Sequence, residues 1–317
     1  MDLASLWAGL GLPLLRLTFF ISLGLFVGNL IESLNWTHAV ARAASPLTRL
    51  ARLKDVSGAS FSMAFFSGAA ANTMLSEAYD KGELTDRELM FSNLFNSLPT
   101  YFLHLPTIFF ITVPFIGAAA FIYVGLTLAS AFLRTGFIVF LGRLFLTPPP
   151  EGCVPCRLDE GKSKNWREAL AKTWKRFAKR IQKILIITVP IYVLIFFLNR
   201  FGVFSILEKY MAEHVHVFSW LPPQALSIVV FHVAAEFTAG LATAGALLSA
   251  GTLAVRDLVL ALLLGNVLST PMRAFRHQFP YYAGIFKPRL ALKLVFYNQI
   301  LRAGSIVLVG AVYYVVG

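Results

Sequence analysis

Charge is scarce in this chain. Of its 317 residues only 14% are charged, against about a quarter in a soluble domain. With 57% hydrophobic residues and a mean hydropathy of +0.69, that deficit excludes a water-soluble fold of this size and marks an integral membrane protein. Cysteine is almost missing. Cys153 and Cys156 are the only two, and a lone C-x-x-C supplies half of a structural zinc site at best. They read as a reduced pair on a cytoplasmic linker; a metal shared between the subunits of a homodimer is the sharper alternative. The signatures of catalysis are missing too. Without G-x-S-x-G, H-E-x-x-H, a P-loop or a paired metal-ligand motif, no enzyme, no resident metal and no cofactor is expected. The N-terminus lacks a basic n-region and its first apolar run is long enough to persist as a helix, so no cleavable signal is expected.

What the chain does hold is apolar runs. At about 20 residues per crossing, they are Pro13–Leu34, Phe61–Ala78, Met90–Pro114, Gly117–Leu146, Ile184–Leu198, Pro222–Ala250, Asp257–Pro271 and Leu290–Val316. Met90–Pro114 carries Pro99, Pro106 and Pro114 and reads as one span or as two shorter pieces, while Asp257–Pro271 is too short to cross unaided. Backbone freed by such breaks must face protein or a water-filled cavity.

The net charge of +12 is concentrated. Arg157, Lys162, Lys164, Arg167, Lys172, Lys175, Arg176, Lys179, Arg180 and Lys183 crowd a linker, 148–183, that the positive-inside rule places in the cytoplasm. Within it Trp166, Leu170, Trp174, Phe177 and Ile181 recur at helical spacing among the basic residues, the pattern of an interfacial helix on anionic lipid headgroups. No recognition motif accompanies the charge, so nucleic acid is not an expected partner.

An internal duplication organises the rest. Leu133–Gly142 returns as Leu301–Gly310, an offset of 301 − 133 = 168. Thr18/Thr188, Ile21/Ile191, Phe26/Phe196, Asn29/Asn199 and Asn96/Asn266 recur at 170, and Gly82/Gly251, Leu84/Leu253 and Arg87/Arg256 at 169. The repeats are 1–147 and 184–317. Arg42, Arg49, Arg52 and Lys54 follow the first helix, whereas basic charge precedes Ile184–Leu198, so the two copies run in opposite directions, with a parallel duplication as the alternative. The acidic turn Glu77–Glu88 argues for the outer side. The expected fold is all-α: a polytopic transmembrane bundle of about eight to ten helices, two inverted repeats with broken or re-entrant helices.

Each repeated window places one arginine, Arg134 or Arg302, inside an apolar helix, where it costs about 2.5–3.5 kcal/mol on insertion scales and needs a partner or a task. Phe61–Asn72 reads as a helix of small residues allowing close approach. Asn93 and Asn96-Ser97-Leu98-Pro99, then His104, follow in one apolar segment, and Gly265-Asn266 through Pro271-Met272-Arg273 repeats the Asn-to-Pro break before His277. Proline there should leave helix-end dipoles and amides free for a ligand, or produce a kink satisfied by neighbours. His232 and Glu236, four apart in Leu226–Ala244, share a helix face and could carry a coupling proton, or pair with each other or with Arg134 or Arg302. The candidate substrate-binding set is Asn72, Asn93, Asn96, His104, His232, Glu236, Asn266, Arg273, His277, Arg134 and Arg302.

Ser67–Asn72 followed by Asn96-Ser97-Leu98-Pro99, and Asn266–Pro271 followed by Arg273, Arg276-His277, Pro280 and Gly284-Ile285-Phe286, resemble the nucleoside-recognition (Gate) domain of prokaryotic integral membrane proteins. That domain is shared with concentrative nucleoside transporters, ferrous-iron permeases and spore-maturation membrane proteins. The resemblance implies a multi-pass protein of a prokaryotic cell membrane with a transport-like architecture and no single substrate. Neither half carries the cysteine-bearing gate segment of the iron permeases. The expected function is secondary transport of a small polar or anionic solute, nucleoside-like compounds included. A non-transporting scaffold or partner-dependent subunit is the alternative, and a divalent metal permease the lower one.

Overall fold

A computed structural model describes residues 6–33, 46–147, 166–202, 220–235 and 237–316. The expectations for Cys153, Cys156 and Glu236 fall outside them. All the regular structure among the described residues is helical. In the first half, a π-helical turn (Trp7–Gly11) leads into α1 (Leu12–Ser33), followed by α2 (Pro46–Leu50), α3 (Asp55–Ala64), α4 (Gly68–Asp80), α5 (Asp86–Phe95), α6 (Ser97–Ile116) and α7 (Ala119–Phe145). The second half gives α8 (Trp166–Arg200), α9 (Pro223–Ala235), α10 (Phe237–Ser249), α11 (Val255–Leu268), α12 (Thr270–Arg273), a π-helical turn (Ala274–Gln278), α13 (Phe279–Ala283) and α14 (Pro288–Val316). Trp7–Val27, Asp86–Ile116, Ala119–Phe145 and Pro288–Val316 are each long and apolar enough to cross a membrane.

Two apolar stretches expected as single helices are pairs of short ones. In Phe61–Ala78 the chain turns at Phe65–Ser67, where Ser67 caps α4 by accepting a bond from the Ala70 N–H at 3.2 Å. The Ser60 hydroxyl donates to the Ala71 carbonyl at 2.9 Å, although eleven residues of straight helix would separate them by about 16 Å. In Pro222–Ala250 the same test uses Gly240, where an added Cβ would stand 2.8 Å from His232 Cβ; one continuous helix would put them about 12 Å apart. So α3 lies beside α4, and α9 beside α10. Helices of 10 to 13 residues reach about 15–20 Å, short of a 30 Å hydrocarbon core. Small residues let them pack: an added Cβ at Gly245 of α10 would meet the Phe115 carbonyl oxygen of α6 at 2.8 Å.

Gly82 and Gly251 end the α3–α4 and α9–α10 pairs with the same local geometry. Their φ angles are 76° and 65°, the left-handed region that glycine enters without penalty. The bonds match too: Gly82 N–H to Tyr79 O and Glu83 N–H to Ala78 O, against Gly251 N–H to Leu248 O and Thr252 N–H to Leu247 O.

At both Asn-to-Pro breaks one helix follows directly on another. One i→i−4 bond stands on either side of each, Asn96 N–H to Ser92 O and Thr100 N–H to Asn96 O in one, Ser269 N–H to Gly265 O and Arg273 N–H to Ser269 O in the other. Pro99 and Pro271 sit in the first turn of α6 and α12, where a missing N–H costs little.

Helix α1 packs on α6 and on α8. It runs antiparallel to α8, because Phe26 meets Phe177 at 5.8 Å between centroids while an added Cβ at Gly9 would touch Phe196 at 3.2 Å. Helices α7 and α14 are also antiparallel. The Ser130 and Ser305 hydroxyls bond at 2.9 Å, and Leu301, earlier on α14, packs against the cluster whose α7 members, Ile138 and Val139, come later on α7. The expected boundary at 183/184 lies inside α8, whose 35 residues span about 52 Å. The segment read as an interfacial helix is thus its first half; Trp166, Leu170 and Trp174 stay exposed there, while Ala169 and Thr173 are buried.

The acidic turn shares a face with basic charge. Lys54 pairs with Glu88 at 3.0 Å and its ammonium donates to the Glu83 carbonyl, Lys287 approaches Asp80 at 3.9 Å, and Arg52 donates to the carbonyls of Arg143 and Leu146 at the end of α7. The turn therefore cannot lie outside while Arg52 and Lys54 lie inside.

Candidate functional site

The kinked helices, the α3–α4 turn and the α7–α14 crossing enclose a cavity of about 680 Å³. Asn72, Asn93, Asn96, His104, Arg134, His232, Asn266, Arg273 and Arg302 all line it. His277 lines a smaller cavity of about 230 Å³ that shares His232, Phe237 and Arg273 with the first.

One wall is cationic. Arg134, in the middle of α7 and 8% exposed, donates from Nε to Ser97 Oγ at 3.2 Å. Arg273 ends α12 and donates from Nη2 to the Asn266 carbonyl at 2.9 Å, to Asn266 Oδ1 at 3.2 Å and to Ser269 Oγ at 3.1 Å. Its Nε is buried with no partner. Arg302, in the middle of α14, donates to the same Asn266 Oδ1 at 3.4 Å. Two guanidiniums thus converge on one neutral oxygen, and no carboxylate is among the described residues lining either cavity. The amide of Asn266 is held in that role by its Nδ2, which donates to the Tyr123 hydroxyl at 3.1 Å. Tyr123 in turn stacks on Phe237 at 5.8 Å.

The other wall is neutral. Asn93 Nδ2 donates to Asn72 Oδ1 at 2.9 Å and to the Tyr282 hydroxyl at 3.3 Å, while Asn72 Nδ2 reaches the Tyr281 hydroxyl at 3.4 Å. This amide and phenol network ties α4 and α5 to α13. Asn96 Nδ2 donates to Ser60 Oγ at 2.8 Å, and its Oδ1 is buried without a partner. Tyr101 bonds Thr127 at 2.9 Å, and Gln278 bonds Gln299 just behind the wall.

Several lining residues carried a signal that was overlooked. Ser130 and Asn298 stand one helical turn before Arg134 and Arg302, at the repeat offset of 298 − 130 = 168, so the i, i+4 rule applied to the arginines would have found both. Tyr101, Tyr123, Tyr281 and Tyr282 gave none, since an aromatic residue in an apolar stretch reads as core.

The expected pairing of His232 with Glu236 involves a residue outside the described ones.

No family model matches the chain, and no solved structure does. Three proteins of Methanocaldococcus jannaschii, each described as uncharacterized, are similar to it. One is 26% identical over 288 residues, covering 90% of this chain and 88% of the relative. A second is 23% identical over 295 residues, covering 90% and 92%, and a third 26% identical over 297 residues, covering 92% and 89%. The similarity therefore takes in both halves of the chain and the residues between them.

Proposed function

We propose that this protein is a secondary-type membrane transporter of a small anion, bound between two inverted repeats near the bilayer midplane. The observation that carries the reading is the convergence of Arg134, Arg273 and Arg302 on one cavity whose described lining holds no carboxylate. Buried guanidiniums are costly when unopposed, and a fold keeps such groups where a ligand supplies the missing charge. Phosphate, sulfate and carboxylate match the planar fork of arginine. The neutral amide and phenol wall leaves room for an organic body attached to the anionic group.

Inversion is supported by the antiparallel packing of α1 on α8 and of α7 on α14, each a pair of equivalent helices at the repeat offset, and by the matching glycine turns. The shared plan of long helix, short paired helices, kinked helix and arginine-bearing helix fits a Gate-like domain. Midplane placement is supported by the position of Arg134 and Arg302 halfway along helices long enough to span. The positive-inside rule turns the face of Arg52, Lys54, Arg143 and Lys287 to the cytoplasm of a prokaryotic cell.

The test is uptake by purified protein in sealed liposomes, offered phosphate, sulfate, succinate and glycerol phosphate beside nucleosides and divalent metals. At least one anion should accumulate, and Arg302→Gln and Arg273→Gln should each slow it about tenfold or more. If no anion moves, or if neutral nucleosides or metal ions move alone and both variants keep wild-type rates, the reading fails.

A further inference from the structure

We infer that His232 serves the anion as a fixed, neutral N–H donor, its proton on Nε2 at the partition between the two cavities, and that it carries no coupling proton. The inference rests on the anion-transport reading and adds a ligand to that site.

The ring sits in a slot cut from two neighbouring helices. His232 is 2% exposed. An added Cβ at Gly240 of α10 would lie 2.8 Å from its Cβ, and one at Gly265 of α11 would lie 2.6 Å from its Nδ1. Any side chain at either position would push the imidazole out. Phe237 packs against the ring at 5.5 Å. Nδ1 is therefore pressed on the Gly265 backbone, and it has no hydrogen-bond partner. A buried orphan N–H is rarer than an under-used acceptor, so the lone pair belongs on Nδ1 and the hydrogen on Nε2. Nε2 lies on the side of the ring away from Gly265 and is not among the atoms buried without a partner, and the residue lines both cavities.

The surroundings argue against a second proton. Arg273 from α12 faces both cavities beside His232. Arg302 from α14, Arg134 from α7 and His104 from α6 face the larger, and His277 from the π-helical turn faces the smaller. A proton on Nδ1 would place an N–H against glycine with nothing to receive it, and a further positive charge among guanidiniums. A neutral donor instead complements the arginines.

The slot is particular to the second half. At the offset of Asn96 and Asn266, 266 − 96 = 170, the first half has Ser62 for His232, Ala70 for Gly240 and Phe95 for Gly265. There the bulk comes from Phe95, fully buried on the kinked helix. In the second half it has moved across to the short helix, as an imidazole.

The experiment uses the full chain with ¹⁵N-labelled histidine, the His232 signals being assigned by elimination among the six histidines. Between about pH 5 and pH 8, with and without phosphate or succinate, Nδ1 should keep the signature of an unprotonated acceptor. Conversion to the doubly protonated ring in that window, or a hydrogen on Nδ1, overturns the inference while leaving the transport reading intact. In parallel, His232→Gln, which keeps an N–H at similar reach, should retain phosphate- or succinate-induced thermal stabilisation. His232→Leu should weaken apparent affinity about tenfold. Equal binding by both variants removes His232 from the site. If no anion stabilises the wild type, the transport reading itself is at fault.

Discussion

Asn266 is the residue at which the demands of the fold and those of the proposed anion separate. Its Oδ1 receives Arg273 at 3.2 Å and Arg302 at 3.4 Å, and its Nδ2 holds Tyr123. Asn266→Asp keeps the shape and gives both guanidiniums a resident carboxylate. Charged hydrogen bonds exceed neutral ones by about 1–2 kcal/mol, so the variant should melt higher in detergent while its apparent affinity for phosphate or succinate falls tenfold or more. A variant that is less stable, or that binds anions as the wild type does, would show that the arginines are not waiting for a ligand. At this scale the sequence was readable wherever polarity stood out against an apolar background: Asn72, Asn93, Asn96, Asn266 and the arginines. It was not readable for Tyr123 or Tyr282, whose rings are as common in a core as in a site.

Among the elements, the pairing of α3 with α4 depends on a short chain of side chains. Ser60, fully buried, donates to the Ala71 carbonyl and accepts from Asn96 Nδ2. Since Asn96 Oδ1 already lacks a partner, Ser60→Ala leaves the whole amide unsatisfied, while the Ala71 carbonyl keeps its place in the helical ladder of α4. The expected loss is about 1–3 kcal/mol, from one unmet buried amide, against almost nothing for an ordinary serine. Hydrogen exchange should localise it to 55–80 and the α5–α6 kink. A uniform effect, or none, would mean that apolar packing alone holds the pair. Helix existence was legible from apolar runs, but the reversal at Phe65–Ser67 was not. Phe61–Ala78 is long and apolar enough to read as one helix, and the cap that ends it, a single serine before Gly68, is a weak signal beside the hydrophobicity. The same holds for α9 and α10, where the apolar run Pro222–Ala250 suggested a continuity that the contact of Gly240 with His232 rules out.

For the molecule as a whole, charge and chain direction must agree on one orientation. Arg52 closes the end of α7, Lys54 and Lys287 reach the turn after α4, and α14, antiparallel to α7, begins beside them at Pro288. The far face carries the α14 terminus, where Arg256 donates to the Tyr314 carbonyl at 2.5 Å and Trp220 meets the Tyr314 ring at 5.6 Å. Lys287 before α14 gains its side only from packing, because the residue it approaches, Asp80, is 287 − 80 = 207 residues away in the chain. With Cys153→Ser and Cys156→Ser as background, Lys81→Cys and Ala254→Cys place one thiol on each exposed face. A membrane-impermeant maleimide should label Ala254→Cys in intact cells, and Lys81→Cys only once the membrane is opened. Labelling of both from the same side would contradict the antiparallel packing. The reverse pattern would keep the packing and turn the molecule over, which the excess of lysine and arginine around Arg52, Arg143 and Lys287 argues against.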